Sequence, residues 1–292
     1  MKRPSAARRR SGTKGVPQRA RVPARPVVVL KLGGELLESP ADVGNVARGI
    51  ARLAARTSLV VVHGGGREID AALATAGIPR QQVDGLRITD RPTLDVVVSV
   101  LAGAINTRLV AAVRREGGRP VGLTGADAAV VTVKRSPPVA TVAGPRVDLG
   151  LVGTPVANGP PQLLLDLLAS AYVPIVACVA ATPAGDVLNV NADTLAAHVA
   201  GALGASRLVI AGGTAGVLDD DGRTIPRLTS RDAARLIKTG TANRGMVAKL
   251  HACRGALRRG VGDVLIANGR EIRFDTLAAA RPVLAGLTQV LR

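Results

Sequence analysis

Aromatic residues and histidines are scarce in this chain. Its 292 residues include one Tyr, one Phe and no Trp. Proteins that hold single-stranded nucleic acid stack its bases on aromatic side chains, so the folded part of the chain is poorly suited to that class of function. The three histidines, His63, His198 and His251, lack the spacing of metal ligands, and the sequence predicts no metal site formed by the protein itself.

Cysteines and long apolar runs are also few. The two cysteines, Cys178 and Cys253, form no C-x-x-C motif, so we expect buried thiols in a reduced, cytoplasmic protein. The apolar run that begins at residue 27 has only about six residues and is interrupted by Lys31, so it is too short to cross a membrane. The sequence therefore predicts neither a signal peptide nor a membrane-spanning segment.

Positive charge is abundant but unevenly distributed. The formal net charge is +18, and residues 1–26 carry nine Lys and Arg residues without an acid, which leaves +9 for the rest of the chain. This first segment is rich in Pro, Ala, Ser and Arg and has little to bury, so we expect it to be disordered. Three interpretations of it stay open: a nucleic-acid-binding arm, an organellar presequence and a solvated extension.

Short runs of Val, Ile and Leu alternate with longer helical patterns along residues 27–292. The predicted strands are 27–32, 58–63, 119–124, 173–178, 207–212 and 263–268, and the predicted helices lie near 41–56, 67–77, 92–116, 161–171, 192–204, 230–239 and 244–259. This alternation predicts an α/β fold, a three-layer αβα sandwich with a mainly parallel open sheet. The Pro- and Gly-rich segment 131–159 breaks the rhythm and predicts a hairpin excursion.

Two glycine clusters end the first two predicted strands. They are "KLGG" at 31–34 and "HGGG" at 63–66. Ligands of parallel sheets gather at the carboxyl ends of the strands, and the helix that follows each cluster favours an anion at its N-terminus. A lysine inside a buried strand is costly, and this chain has only six lysines beside 33 arginines, so the position of Lys31 indicates a function.

Several familiar motifs are absent. The chain has no G-x-x-x-x-G-K-[ST] phosphate loop, no G-x-G-x-x-G dinucleotide motif in "GGGREI" and no G-x-S-x-G nucleophile motif. Lys249 in "NRGMVAKL" follows the turn "GTANRG", and Asp193 in "LNVNADTL" precedes a predicted helix. Taken alone, Asp193 is typical of a helix N-cap and either lysine of a surface residue, and His63 is expected to position its loop.

Seven ordered segments together carry a resemblance: "KLGGELL", "VVVHGGGREID", "VDGLRITD", "LAGAINTRLVAAV", "GLTGADA", "LNVNADTLAAHVAGALGA" and "GTANRGMVAKL". Over residues 27 to 270 the chain resembles the N-acetyl-L-glutamate kinase family of the amino-acid kinase superfamily. The resemblance implies transfer of the γ-phosphoryl group of ATP to the side-chain carboxylate of N-acetyl-L-glutamate, the second step of arginine biosynthesis. It also implies Mg²⁺ held mainly by the ATP phosphates.

The resemblance assigns roles to individual residues. Lys31, Lys249 and Asp193 resemble the catalytic residues, with the carboxylate orienting both lysines. The substrate-binding residues implied are Gly65, Gly66, Arg87 and Asn189, and those implied for the ATP phosphates are Gly33, Gly34, Gly213, Gly216, Gly245 and Met246. The resemblance further implies a lobe at 27–205 for the acyl substrate and the dimer contact, and an ATP lobe at 206–292.

Three departures from the family pattern are visible. Gly212, Gly213 and Thr214 stand where the family usually has an acid, Arg244 replaces a glycine, and the stretch 271–290 lacks the usual ending. Arginine-inhibited hexamers of the family use an apolar N-terminal helix, which residues 1–26 do not resemble. We therefore expect a homodimer without strong arginine inhibition.

Other functions stay open. A kinase for a carrier-bound aminoadipate or glutamate, in lysine or ornithine synthesis, would share Lys31, Asp193 and Lys249. A weakened regulatory paralogue would explain the missing acid near Gly213. A third possibility is nucleic-acid binding through residues 1–26, although we expect neither nucleic acid nor a membrane as a partner of the folded part.

Overall fold

The structure is a computed structural model that describes residues 23–141, 144–219, 221–240, 244–279 and 286–292. The sequence predicts that the basic segment, residues 1–26, is disordered. Residues 1–22 of this segment lie outside the described residues. The same is true of residues 241–243 in the predicted turn "GTANRG".

The described residues form strands and helices in alternation. The strands are β1 (Val27–Leu32), β2 (Ser58–His63), β3 (Gln82–Val83), β4 (Leu86–Arg87), β5 (Pro120–Thr124), β6 (Val133–Arg135), β7 (Val139–Ala140), β8 (Arg146–Val147), β9 (Val152–Pro155), β10 (Val173–Ala177), β11 (Val179–Ala181), β12 (Val187–Val190), β13 (Arg207–Gly212), β14 (Arg227–Thr229), β15 (Asp263–Asn268) and β16 (Leu287–Leu291). The helices are α1 (Pro40–Ala54), α2 (Gly66–Thr75), α3 (Arg91–Val98), α4 (Asn106–Arg115), α5 (Gln162–Ala169), α6 (Ala192–Ala202), α7 (Ser230–Lys238) and α8 (Arg244–Arg258).

One eight-stranded sheet organises the molecule. Its strand order is β14-β16-β15-β13-β1-β2-β10-β5, and its pairs are parallel except for β15 with β16. The central strands β1, β2 and β13 are buried along their whole length, which requires that both faces of the sheet be covered by helices and loops. The predicted α/β fold with a mainly parallel open sheet is confirmed.

The predicted long elements agree closely with the structure. The six predicted strands correspond to β1, β2, β5, β10, β13 and β15, and each of the seven predicted helices is present. The helix predicted near 92–116 contains a π-helical segment, Ser99–Ile105, between α3 and α4. The C-terminal stretch that departs from the family pattern contains β16, a strand that the sequence did not predict.

The excursion at 131–159 contributes to a second sheet. Strands β6 and β9 from this segment pair in antiparallel fashion and join β11 and β12 in the order β11-β12-β9-β6. Strands β7 and β8, which lie between them in the chain, form a separate antiparallel pair. The second sheet matters for the site because β12 runs directly into α6. It thereby fixes the position of Asn189 and of the first turn of that helix.

The helix Arg91–Arg115 is long and apolar enough, by length and composition, to cross a membrane, and it is the one such helix in the described part of the chain. Its inward-facing side chains Leu94, Val97, Leu101 and Ile105 are each no more than 2% exposed and belong to the hydrophobic core. One face of this helix is therefore part of the core.

Candidate active site

Lys31 and Asp193 form a buried ion pair at the carboxyl end of β1. The Nζ of Lys31 lies 2.9 Å from Oδ1 of Asp193, and the residues are 7% and 6% exposed. Burial is the largest influence and by itself would lower the pKa of Lys31, but the charge and hydrogen bond of Asp193, together with smaller effects of Glu35 and Cys178, raise it above its usual value. The lysine in the buried strand therefore stays charged because a carboxylate from another element neutralises it.

Asp193 is not the N-cap of its helix. The side chain of Asn191 caps α6 by accepting a hydrogen bond from the backbone N–H of Thr194 at 3.0 Å, and Asp193 lies inside the first turn. The capping role is therefore filled two residues earlier, which leaves the carboxylate of Asp193 for Lys31.

The two glycine clusters meet at the end of the sheet. A Cβ added to Gly34 would lie 2.8 Å from Cα of Gly65, and one added to Gly65 would lie 2.2 Å from Cδ1 of Ile105 in the π-helical segment. Glycine is needed at both positions because the loops touch backbone to backbone above that segment. The backbones of Gly33, Gly34, Gly65 and Gly66 therefore border one common space beside Lys31.

Arg87 is positioned by a two-residue hairpin. Asp84 and Gly85 have φ values of 48° and 79°, which is typical of a tight turn, and this turn pairs β3 with β4. The Nη2 of Arg87 donates to Asp70 and, at 3.3 Å, to the carbonyl oxygen of Gly66. Its Nη1 is buried and has no hydrogen-bond partner among the described residues. That N–H group is available to a ligand.

Asn189 belongs to β12 of the second sheet and borders the same cavity as Arg87, which belongs to β4. Its Nδ2 donates to Oγ1 of Thr89 at 3.2 Å, and Thr89 is fully buried. The side chain of Asn189 borders the same cavity as Arg87, so a ligand that bridges the two would contact a cationic group and an amide.

The residues assigned to ATP are more widely spread. Lys249 on α8 borders the cavity of Lys31, although no ion pair within 4.0 Å joins it to Asp193 in the described part of the chain. The backbone N–H of Gly213 faces this region. By contrast, a Cβ on Gly216 would lie 2.4 Å from Oγ1 of Thr288, so Gly216 packs against β16. Met246 is part of the hydrophobic core, and Gly245 is exposed in the first turn of α8.

One cavity of about 270 Å³ collects most of the predicted site residues. Its lining includes Lys31, Gly33, Gly34, Gly65, Gly66, Arg87, Asn189, Asp193 and Lys249. Gly213, Gly216, Gly245 and Met246 are not part of this lining. The cavity therefore joins a cationic, glycine-rich end to an end bordered by Arg87 and Asn189.

His63 is hydrogen-bonded to the backbone of the second glycine loop at Gly64. Its Nδ1 lies 3.2 Å from the carbonyl oxygen of Gly64, which can only accept, so Nδ1 carries the proton and Nε2 accepts from Asn106 at 3.3 Å. The residue is fully buried, and burial lowers its pKa to about 4. Next to it, the thiol of Cys178 donates to the carbonyl oxygen of His63, and burial raises the pKa of that thiol to about 12.

The neutral state of His63 predicts acid sensitivity. The unfolded chain takes up a proton on this residue below pH about 6.5, whereas the folded chain does so only near pH 4, so stability falls as the pH drops through this window. We expect the protonation of His63 alone to lower the free energy of unfolding by about 2 to 3 kcal/mol between pH 7.5 and pH 4.5. Urea unfolding of the wild type and of His63→Gln at both pH values measures this loss. An equal loss in both proteins would contradict the prediction.

Three residues near the site were not assigned a role from the sequence. Glu35 and Cys178 border the cavity, and Asp70 holds Arg87. Asp70 had a usable signal, because it belongs to the quoted segment "VVVHGGGREID". Glu35 likewise belongs to the quoted segment "KLGGELL", but its hydrogen bond to Gly213 and the position of Cys178 beside the cavity are visible only in the structure.

Comparison with known proteins identifies the family. Residues 26–268 match the family model described as the amino acid kinase family. The chain belongs to this family. Among its relatives, an acetylglutamate kinase of Solibacter usitatus is 42% identical over 243 residues, which cover 83% of this chain and 91% of that protein.

Solved structures of other amino acid kinase folds are similar as well. The N-acetylglutamate synthase of Neisseria gonorrhoeae in complex with coenzyme A and N-acetyl-glutamate aligns with a TM-score of 0.75 at 23% identity, covering 91% of this chain and 59% of that longer chain. The carbamate kinase of Giardia lamblia bound to AMP-PNP aligns with a TM-score of 0.65 at 16% identity, covering 92% of this chain and 99% of that chain. At these identities the similarity concerns the fold.

Proposed function

We propose that this chain transfers the γ-phosphoryl group of ATP to the side-chain carboxylate of N-acetyl-L-glutamate, forming the acyl phosphate and ADP. The observation that carries the proposal is the buried Lys31–Asp193 ion pair where the two glycine loops meet. The 42% identity to an acetylglutamate kinase supports the same reaction and the place in arginine biosynthesis.

The reaction brings two anions together. The acceptor carboxylate is already ionised at neutral pH, so no general base is required, and catalysis consists of positioning and of stabilising the charge on the transferring group. Lys31 supplies a fixed positive charge there. The backbone N–H groups of the loops at Gly33, Gly34, Gly65 and Gly66 supply hydrogen bonds to the same group.

The nucleotide side uses Lys249 and the end of β13. Lys249 contacts the phosphates and the leaving oxygen, while Asp193 keeps Lys31 charged and oriented. We also keep Gly213, Gly216, Gly245 and Met246 as proposed nucleotide-side residues, with Gly216 and Met246 acting through packing. No group of three His, Cys, Asp or Glu residues that could hold a metal lies within the described ranges, and the acids that border the cavity are Glu35 and Asp193. This donor set fits Mg²⁺ held mainly by phosphate oxygens, where it neutralises charge.

Arg87 and Asn189 recognise the α-carboxylate and its neighbouring groups. The free Nη1 of Arg87 points to this role, because a guanidinium pairs well with a carboxylate. Asp70 is then a positioning residue, since it holds Nη2 of Arg87 while its other oxygen accepts from Arg80 at 3.0 Å.

Replacing Asp70 with Asn tests this role. The neutral amide holds the guanidinium less firmly, so we expect KM for acetylglutamate to rise about tenfold with kcat nearly unchanged. Steady-state kinetics measure both parameters, and Arg80→Gln, which removes the other, more exposed partner of Asp70, serves as the control. A fall in kcat at constant KM would place Asp70 elsewhere in the reaction.

The choice of acceptor separates the proposal from its alternatives. ADP release measured in a coupled assay with acetylglutamate, glutamate and aminoadipate should be fastest by far with acetylglutamate. Activity with none of the free acids would favour a carrier-bound acceptor or a weakened regulatory paralogue. The specific observation for the paralogue is that Gly212, Gly213 and Thr214 include no acid.

The quaternary structure and cellular location complete the proposal. We propose a homodimer in the cytoplasm, formed through the helix Arg91–Arg115, because Gly103 and Ala104 on this helix are exposed and Val96 and Val100 are only partly buried against the core. We also propose that residues 27–205 and 206–292 act as two lobes, since the sheet order places β1, β2, β10 and β5 beside one another. Sedimentation should give a dimer that arginine does not convert to a hexamer.

A further inference from the structure

Glu35 follows the Gly33–Gly34 pair, and its side chain reaches across to the neighbouring strand end. Its Oε1 accepts a hydrogen bond from the backbone N–H of Gly213 at 2.8 Å. Gly213 comes directly after β13, which is paired with β1 in the main sheet. The carboxylate therefore lies between the carboxyl ends of two adjacent parallel strands.

The surroundings of this carboxylate are those of an anion site. A Cβ on Gly33 would lie 2.3 to 2.5 Å from the carboxyl atoms of Glu35, so the group is folded directly against that backbone. A Cβ on Gly212 would lie 2.9 Å from Oε1 of Glu35 and 3.8 Å from Cε of Lys249. The negative charge of Glu35 also favours the ammonium form of Lys31, after the larger effect of Asp193. One backbone N–H group thus donates to this carboxylate, and Lys31 and Lys249 border the same cavity as Glu35.

The turn that carries Glu35 is held without its side chain. Arg270 donates from Nη2 to the main-chain oxygen of Glu35 at 2.7 Å, and the turn is closed by the backbone hydrogen bond from Leu37 to Gly34 at 2.8 Å. The carboxylate can therefore leave Gly213 by side-chain rotation while the glycine loop keeps its shape.

We propose that the carboxylate of Glu35 occupies the place of a nucleotide phosphate, and that a phosphate group must displace it in order to bind. The inference rests on the proposed use of ATP. A phosphate oxygen and a carboxylate oxygen accept the same N–H group and repel each other, so they compete for this position. Glu35 thereby weakens the binding of phosphate-bearing ligands in particular.

The test compares two neutral variants on the same loop. Glu35→Gln removes the competing charge, whereas Glu38→Gln removes a charge that pairs with the exposed Arg67 outside the cavity. Isothermal titration with AMP-PNP and Mg²⁺ should show a dissociation constant about tenfold lower for Glu35→Gln than for the wild type and Glu38→Gln. Adenosine, which has no phosphate, should bind all three proteins equally. Glu35→Ala should bind AMP-PNP as tightly as Glu35→Gln or more so.

Each contrary outcome has its own meaning. If the wild type and Glu35→Gln bind AMP-PNP with equal affinity, the carboxylate of Glu35 does not compete with phosphate and the proposal is wrong. If Glu35→Gln binds AMP-PNP more weakly than the wild type and high Mg²⁺ restores the affinity, Glu35 is a metal ligand, and the proposal is also wrong. If neither the wild type nor any variant binds AMP-PNP, the proposed ATP-dependent function fails, and the inference fails with it.

Discussion

Replacing Lys31 with Ala is expected to lower kcat by about two to three orders of magnitude, with a much smaller change in KM. Lys31 is 7% exposed and supplies a fixed charge where the two glycine loops meet. A preorganised charge at a transferring group contributes about 3 to 4 kcal/mol to the stabilisation of the transition state. The effect should fall on kcat because the charge on the transferring group is spread over its oxygens only during the reaction.

The measurement must separate chemistry from folding. The variant leaves the buried carboxylate of Asp193 without its partner, so circular dichroism and thermal unfolding must confirm that the assayed protein is folded. Lys238→Ala, which removes an exposed lysine on α7, is the control and should keep full activity. A loss confined to KM would contradict the role given to Lys31.

The second large effect concerns stability at the opposite end of the sheet. Arg207 and Asp263 begin β13 and β15 and form a bidentate ion pair, with Nε to Oδ1 at 2.8 Å and Nη2 to Oδ2 at 2.9 Å. The Nη1 of Arg207 donates to the carbonyl oxygens of Leu277 and Ala279, and Gln289 donates to Asp263. Both charged groups are buried, and each of their nitrogen and oxygen atoms has a hydrogen-bond partner.

Replacing Asp263 with Ala should therefore lower the free energy of unfolding by about 3 to 5 kcal/mol, because the guanidinium of Arg207 stays buried without a counter-charge. Urea unfolding measures this change. The matched control is Asp148→Ala, which breaks the exposed Arg135–Asp148 pair and should change stability by less than about 1 kcal/mol. Equal effects of the two substitutions would show that burial does not govern the contribution of these pairs.

The long strands and helices could be predicted because each has its own local pattern. Strands such as "SLVVVH" and "RLVIAG" are continuous apolar runs, which a parallel sheet covered on both faces requires. The strands β11, β12 and β14 have only three or four residues each and no such run. The π-helical segment Ser99–Ile105 was missed because one additional residue per turn hardly changes the apolar pattern of a long helix.

The site was only partly predictable for a different reason. Lys31 could be singled out because burying a charged lysine in a strand is energetically unfavourable. Its partner Asp193 was suggested by the family resemblance. Glu35 makes its hydrogen bond to a residue 178 positions away, so no local pattern could connect it with Gly213. Arg207 and Asp263 each stand first in a predicted strand, and their pairing would have followed if the strand order had been known.

Trapping of the acyl phosphate with hydroxylamine tests the central claim most directly. With ATP, Mg²⁺ and N-acetyl-L-glutamate, the purified wild-type chain should form one hydroxamate for each ADP released, and folded Lys31→Ala should form almost none. ADP release without hydroxamate from the wild type, or equal yields from the two proteins, would contradict the account.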